Sequence, residues 1–353
     1  MSGEMSSWRV LLCVWALVAA VTLALFSPSL GHSFLRYDDQ LYVYENPFVR
    51  SPDAASVGWI FTHAWFKSYT PLTLLAHAAD FRLWGMDPGP HHAVSVFLHG
   101  LNAGWVFLLV LGVLTAPGWR GDPARGGALP LWAVAAASAL FFSLHPLRVE
   151  SAAWVAGRKD LLAGFFALPA LIAYIRFLEK GSRLWYLVAL ACTILASLAK
   201  TSAAALPLAM AGLDLLRRGN LPLRARAAAS FLRVLPILGA AGCIGVFAYS
   251  LAGTGGAHYA LGAPSAWERA VLPLYTVSFY LAKTLVPAGL APVYLFPGTF
   301  PLAAGSVAAL VVLWGGILSV RRKDAITAAG LLLFLSFLIP TMAGLSAGIQ
   351  PWA

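Results

Sequence analysis

Residues 8–39 read WRVLLCVWALVAAVTLALFSPSLGHSFLRYDD. The apolar run from Val10 to Phe26 follows Arg9 and, with its flanks, reaches the roughly 20 helical residues that a bilayer core requires. It is long for the h-region of a secretory signal, and no clear small-x-small cleavage site follows it, so it reads as a retained first span. Two carboxylates, Asp38 and Asp39, then stand just beyond that span. Six of the 14 acidic residues (Asp38, Asp39, Glu45, Asp53, Asp80 and Asp87) fall in the stretch they open. Carboxylates gathered beside a span, in a chain that otherwise avoids charge, are costly and mark a functional site. The plainer reading, caps on a surface helix or turn, is outweighed by what the rest of the chain supplies.

Composition extends the reading. Mean hydropathy is +0.77 and charged residues make up 11%, against roughly 25% in soluble domains. The chain is therefore an all-α, polytopic integral membrane protein. Its net charge of +10 does not point to nucleic acid. The arginines lie in short loops, such as Arg217, Arg218, Arg224 and Arg226 or Arg321-Arg322-Lys323, as the positive-inside rule expects of cytoplasmic connections. Cys13, Cys192 and Cys243 all lie in apolar runs without ligand-like spacing, and read as packing residues.

Apolar runs place spans near 8–27, 89–115, 128–145, 161–178, 184–199, 203–216, 231–251, 302–319 and 326–346. With a cytoplasmic N-terminus, Arg120 and Arg125, Lys180 and Arg183, and the 217–226 cluster all fall on one side. Segments 28–88, 146–160, 200–202 and 252–301 then face outward. Residues 270–287 are apolar enough to span, but a crossing there would put Arg321-Arg322-Lys323 outside. With Pro273, Lys283 and Pro287 inside the run, and Pro292 and Pro297 after it, the segment reads as an outer interfacial or re-entrant piece. As an additional span it would raise the count from nine to ten. The first outer loop, 28–88, is too aromatic to be a linker. Val57–Phe66 reads as an interfacial amphipathic helix, and a second helix starts at Tyr69-Thr70-Pro71-Leu72. The loop is thus a folded cap on a single domain covering 1–353.

A second polar cluster follows the third span: His145-Pro146-Leu147-Arg148-Val149-Glu150, Trp154, then Gly157-Arg158-Lys159-Asp160. It lies on the same face as Asp38 and Asp39. Arg158 and Lys159 stand near the start of the fourth span, and cations at a helix start suit a phosphate. Lys200, alone at a turn between two apolar helices, needs an anionic partner. His92 and His99, seven apart on one helix face with Ser95 between, could join Asp38 or Asp39 around a divalent cation. The favoured reading is that they pack the cap against the bundle. Carboxylates, a phosphate-sized cationic cluster and lipid access on one face are the inventory for group transfer from a lipid phosphate. One carboxylate would act as base on an acceptor hydroxyl while cations stabilise the departing phosphate. A transporter or lipid-linked-sugar flippase would instead need ionisable groups at mid-span on broken helices, and Asp80 and Asp214 are the nearest to such positions. A catalytically inactive membrane scaffold is the third reading.

These residues carry a family resemblance. Phe34–Gln40 through Asn46-Pro47, then Tyr69–Phe81 (YTPLTLLAHAADF), His92–Asn102 (HAVSVFLHGLN) and above all Leu144–Leu162 (LHPLRVESAAWVAGRKDLL) follow in the order found in one family. The chain resembles the transmembrane-and-TPR protein O-mannosyltransferases and their bacterial relatives. The match runs from about residue 20 to the end, with weaker matches at Ala199-Lys200 through Asp214 and at Pro287–Tyr294. The resemblance implies a GT-C-type helical bundle. It also implies an inverting, polyprenyl-phosphate-sugar-dependent glycosyltransferase moving mannose or another hexose to a hydroxyl, that of protein Ser or Thr. Asp38 or Asp39 would be the catalytic base, and Arg148 and Glu150 would line the site. Arg158, Lys159 and Lys200 would contact the lipid phosphate, beside His92 and His145 of the matching motifs. Partners are then the lipid-linked sugar, the acceptor and membrane lipids. No cofactor is fixed, and a divalent cation between the aspartates is left open. The family often has Asn where Ser95 stands and Lys-Pro where Lys200-Thr201 stands. It usually continues into TPR repeats, whereas this chain ends at Gln350-Pro351-Trp352-Ala353, so it is expected either to be a fragment or to lack the acceptor-binding repeats. Arginine outnumbers lysine 18 to 6, which suits a GC-rich bacterial genome, an inner membrane and a periplasmic site; the endoplasmic reticulum membrane is the alternative if the source is eukaryotic.

Overall fold

The computed structural model describes residues 2–66, 68–115, 130–216, 222–252, 265–291, 294, 299–321 and 325–346. Arg120, Arg125, Arg217, Arg218, Arg322, Lys323, Pro292, Pro297 and the segment 350–353 lie outside the described residues. The protein is an all-α, polytopic membrane protein, with no strand among the described residues. Its contacts group into two compact units. The first comprises Met1–Ala204 and Gly239–Ala252, the second Ala205–Leu238 and Gly253–Ala353.

The first unit is built on α1 (Ser2–Phe26), α5 (Pro88–Thr115), α6 (Leu131–Leu144), α8 (Arg158–Lys180) and α9 (Arg183–Ala199). Membrane helices gain nothing from hiding apolar surface from lipid, so they associate through close packing and a few hydrogen bonds. Both devices are present. Gly104 of α5 lies directly under the indole of Trp15, in space that any Cβ would fill. The Thr22 and Ser143 hydroxyls meet at 2.9 Å between α1 and α6.

Residues 28–88 form a folded cap. It holds α2 (Pro47–Arg50), α3 (Ala54–Thr62) and α4 (Pro71–Trp84). The Asn46 side chain accepts from the Phe48 and Val49 N–H groups and caps α2. Asp53 caps α3 through the Ser56 N–H at 2.7 Å. Tyr42, Val43, Val49, Ile60 and Leu74 form the core of the cap with Val155 and Ala156 of the second loop. Phe48 stacks on Trp59 at 3.7 Å, and the Trp65 indole donates to the Leu41 carbonyl at 2.6 Å. The expected helix over Val57–Phe66 is α3, which ends at Thr62. Its Ile60 is wholly buried and Trp59 serves the interior of the cap.

The second outer loop turns through a 3-10 segment Pro146–Arg148, α7 (Val149–Ala153) and a 3-10 segment Val155–Gly157 into α8. Gly157 is packed so closely that a Cβ there would stand 2.7 Å from the Glu150 carbonyl oxygen. That closeness lets the chain reverse and start α8 at Arg158.

The second unit comprises α10 (Leu206–Leu216), the N-terminal part of α11 (Leu223–Ala252), α12 (Ala266–Leu285), α13 (Thr299–Arg321) and α14 (Ala325–Ser346). Asp214 of α10, read as a helix-end residue, accepts two bonds from Arg233 of α11 at 2.8 and 3.1 Å. Of the segment 270–287, residues up to Leu285 belong to α12, which continues through Pro273.

Among the described residues, five helices are long and apolar enough to cross a membrane: Trp8–Gly31, Pro88–Thr115, Val155–Lys180, Arg224–Leu251 and Pro301–Ser319. Leu131–Leu144 with Pro146–Ala153, bent by 56°, would make a sixth. Arg183–Ala199, Thr201–Leu216, Ala270–Leu285 and Thr327–Ile339 are apolar but shorter. Three of the nine spans read from the sequence, and the tenth, fall on these four shorter segments.

Candidate functional site

Asp39 ties the cap (28–88) to the loop 146–160. Its Oδ1 accepts the Ala156 N–H and its Oδ2 the Leu35 N–H, both at 2.8 Å. The residue is wholly buried. Burial pushes its carboxyl pKa up, opposed by those two backbone donors and reinforced by the neighbouring charge of Asp38. Asp38 is half-buried. Its carbonyl accepts from Leu41 and Tyr42 in the π-helical turn Gln40–Tyr44, which fixes its backbone beneath its carboxylate.

Lys159, in the first turn of α8, lies within electrostatic reach of Asp38, Asp160, Glu150 and Lys200. Its Nζ sits 5.3 Å from the centre of the Tyr42 ring, a cation–π contact. Lys200 follows α9 and forms an ion pair with Asp160. Two hydrogen bonds to the cap hold that turn in place. Thr201 Oγ1 donates to the Tyr69 carbonyl at 2.9 Å, and Thr73 Oγ1 to the Ala199 carbonyl at 2.8 Å. Arg148 lies over the Phe142 ring at 5.2 Å, within reach of Asp160 and Glu150. Glu150 is exposed. The structure thus gathers Asp38, Arg148, Glu150, Lys159 and Lys200 into one cluster of mixed charge, with Asp160 as an added member that sequence reading left unassigned.

Three predicted residues are placed elsewhere. Arg158, expected at the lipid phosphate, is wholly buried. Its Nε donates to Ser95 Oγ at 3.2 Å, its Nη2 to the His91 carbonyl at 2.6 Å and its Nη1 to Asp80. All three arms are taken inside the protein. His92 is buried on α5, edge-on to His32 at 6.0 Å. His145 ends α6 and its Nδ1 accepts from the Leu147 N–H at 3.2 Å. His99 donates Nε2–H to the Ser143 carbonyl at 2.9 Å and packs on Phe26 at 5.0 Å. The grouping of His92 and His99 with Asp38 or Asp39 does not form. Among the described residues the group with metal-ligand geometry is His77, Asp80 and His91. Sequence reading passed over it, although the i, i+3 spacing of His77 and Asp80 puts both on one helix face.

Fold and cluster together define a multi-pass, all-α membrane protein with charge concentrated where the cap meets the bundle. The chain is related to the TMTC protein O-mannosyl-transferases over about half its length. It is 32% identical to human "Protein O-mannosyl-transferase TMTC1" over 47% of the chain and 18% of that protein. With human TMTC2 it shares 30% over 45% of the chain and 18% of the relative. With mouse TMTC4 it shares 29% over 48% and 24%. The chain therefore spans only about a fifth of the length of these curated relatives. No family model and no solved structure matches it.

Proposed function

We propose that this protein is a GT-C-type, inverting glycosyltransferase that moves mannose or another hexose from a polyprenyl-phosphate sugar to a Ser or Thr hydroxyl. The site would lie on the outer face, periplasmic in a bacterial inner membrane. The observation that carries the reading is a half-buried Asp38 within electrostatic reach of Lys159, backed by Lys200 and Arg148. Asp38 takes the acceptor proton as the hydroxyl oxygen attacks the anomeric carbon. The bond from that carbon to the phosphate oxygen breaks on the opposite face. Lys159, Lys200 and Arg148 stabilise the departing lipid phosphate by charge-assisted hydrogen bonds, while Glu150 and Asp160 hold the cations in place. Asp39 and Arg158 act as positioning residues. The first joins the loops, and the second fixes the start of α8 from which Lys159 projects.

The test is transfer of labelled sugar from polyprenyl-phosphate mannose to Ser/Thr peptides by the full chain in proteoliposomes. Lys200→Ala is expected to raise the donor KM roughly tenfold, the loss of one charge-assisted contact worth ~1.5 kcal/mol. Wild-type protein that forms no product, or Asp38→Asn protein that transfers as well as wild type, would remove the basis of the reading.

A further inference from the structure

His77 and Asp80 sit one turn apart on α4, and His91 lies near the start of α5. All three are buried, and one ligand-type atom from each lies within 4.8 Å of the others. Neither ring nitrogen of His77 has a hydrogen-bond partner, although the side chain is fully enclosed. His91 is more informative. Its Nε2 stands 3.1 Å from the Gly85 carbonyl, which can only accept, so Nε2 carries the proton. In the neutral ring Nδ1 is then a lone pair. That lone pair has no hydrogen-bond partner and faces Asp80 Oδ2 at 3.6 Å.

A lone pair opposed to a carboxylate inside a protein is repulsive unless a cation stands between them. A carbonyl on the far nitrogen is how proteins fix the tautomer of a metal-ligating histidine. We propose that His77, Asp80 and His91 bind one divalent transition-metal ion. Two imidazoles and one carboxylate, with a fourth position for water, are a donor set that suits zinc. Arg158 also bonds Asp80, so the ion engages the remaining carboxylate lone pairs. Asp39 lies within electrostatic reach of Arg158, and Asp87 of His91, while the Lys159 ammonium reaches His77. The ion fastens α4 of the cap to α5, and this role is independent of any transfer reaction.

The experiment uses the full chain, freed of any histidine tag and purified in detergent. The protein is stripped by chelator, reloaded with Zn²⁺, and followed by elemental analysis and thermal melting. Expected are about one equivalent of tightly held zinc per chain and a higher melting temperature on reloading. His77→Leu and His91→Leu, where they elute as folded protein, should lose both. The wild type decides even if neither variant folds. Wild-type protein that retains only trace zinc and shows no zinc-dependent shift overturns the site. So does a folded His77→Leu variant that keeps its equivalent.

Discussion

The Oδ1 of Asp39 accepts the backbone N–H of Ala156 at 2.8 Å, across 117 residues of chain. Asp38, its neighbour, keeps its carboxylate half-buried beside Lys159. Two adjacent aspartates thus divide the work. One holds the loops together and the other faces the cluster.

That division predicts different phenotypes. Asp38→Asn should lower sugar transfer by ~100-fold or more, the scale of a lost general base, with an unchanged melting temperature. Asp39→Asn turns an amide nitrogen toward a backbone N–H that needs an acceptor. It should cost ~1–3 kcal/mol of stability and lower activity only through misplacement. Thermal melts beside transfer assays separate the two. A melting temperature that falls in Asp38→Asn but not in Asp39→Asn would reverse the assignment.

Asp39 also sets a pH dependence. Burial raises its carboxyl pKa in the folded state, so there the folded protein binds more protons than the unfolded chain. Its stabilising effect is full below the ordinary aspartate pKa and is lost as pH rises through the elevated folded value. The melting temperature of wild type minus that of Asp39→Asn should therefore grow as pH falls through that window. A difference that shrinks on acidification would contradict the sign.

Arg158 and Asp80 form a buried ion pair. In chelator-stripped protein, Arg158→Met leaves the Asp80 carboxylate uncompensated and should cost ~3–5 kcal/mol. Adding Asp80→Asn removes the stranded charge and should restore part of that loss. Additive destabilisation in the double variant would mean that the two side chains do not interact.

Gly104 and Trp15 offer a packing test within the membrane. Gly104→Ala places a methyl group where the indole lies, and overpacking of this kind costs ~1–3 kcal/mol. Trp15→Leu should relieve the Gly104→Ala defect, so the double variant should be more stable than Gly104→Ala alone. Melting temperatures of the three proteins in one detergent check this.

Much of the architecture was legible because lipid imposes a simple code of length and apolarity. The aromatic density of 28–88 likewise announced a folded cap. The site was legible at the level of loops, less so at the level of single side chains. Arg158 and Lys159 look equivalent in sequence, yet neighbours on a helix point about 100° apart, and one is buried while the other meets the cluster. Which one turns inward depends on the phase set by the 3-10 turn before α8, and no local pattern encodes that phase. Lys200 was recognised as an ammonium in need of an anion. Its partner Asp160 was in plain view, but 40 residues away. His77 and Asp80 carried a visible helical spacing, but only the fold brings His91 beside them.

The Asp39–Ala156 bond has a consequence for biosynthesis. At ~5–20 residues per second, the ribosome needs roughly 6–23 seconds to make the 117 residues between the two partners. Throughout that interval the nascent cap carries a carboxylate with half its final hydrogen bonding. The cap therefore locks late, only when α5, α6 and α7 have been threaded and the amide arrives. Until then the young chain is open to proteases and chaperones.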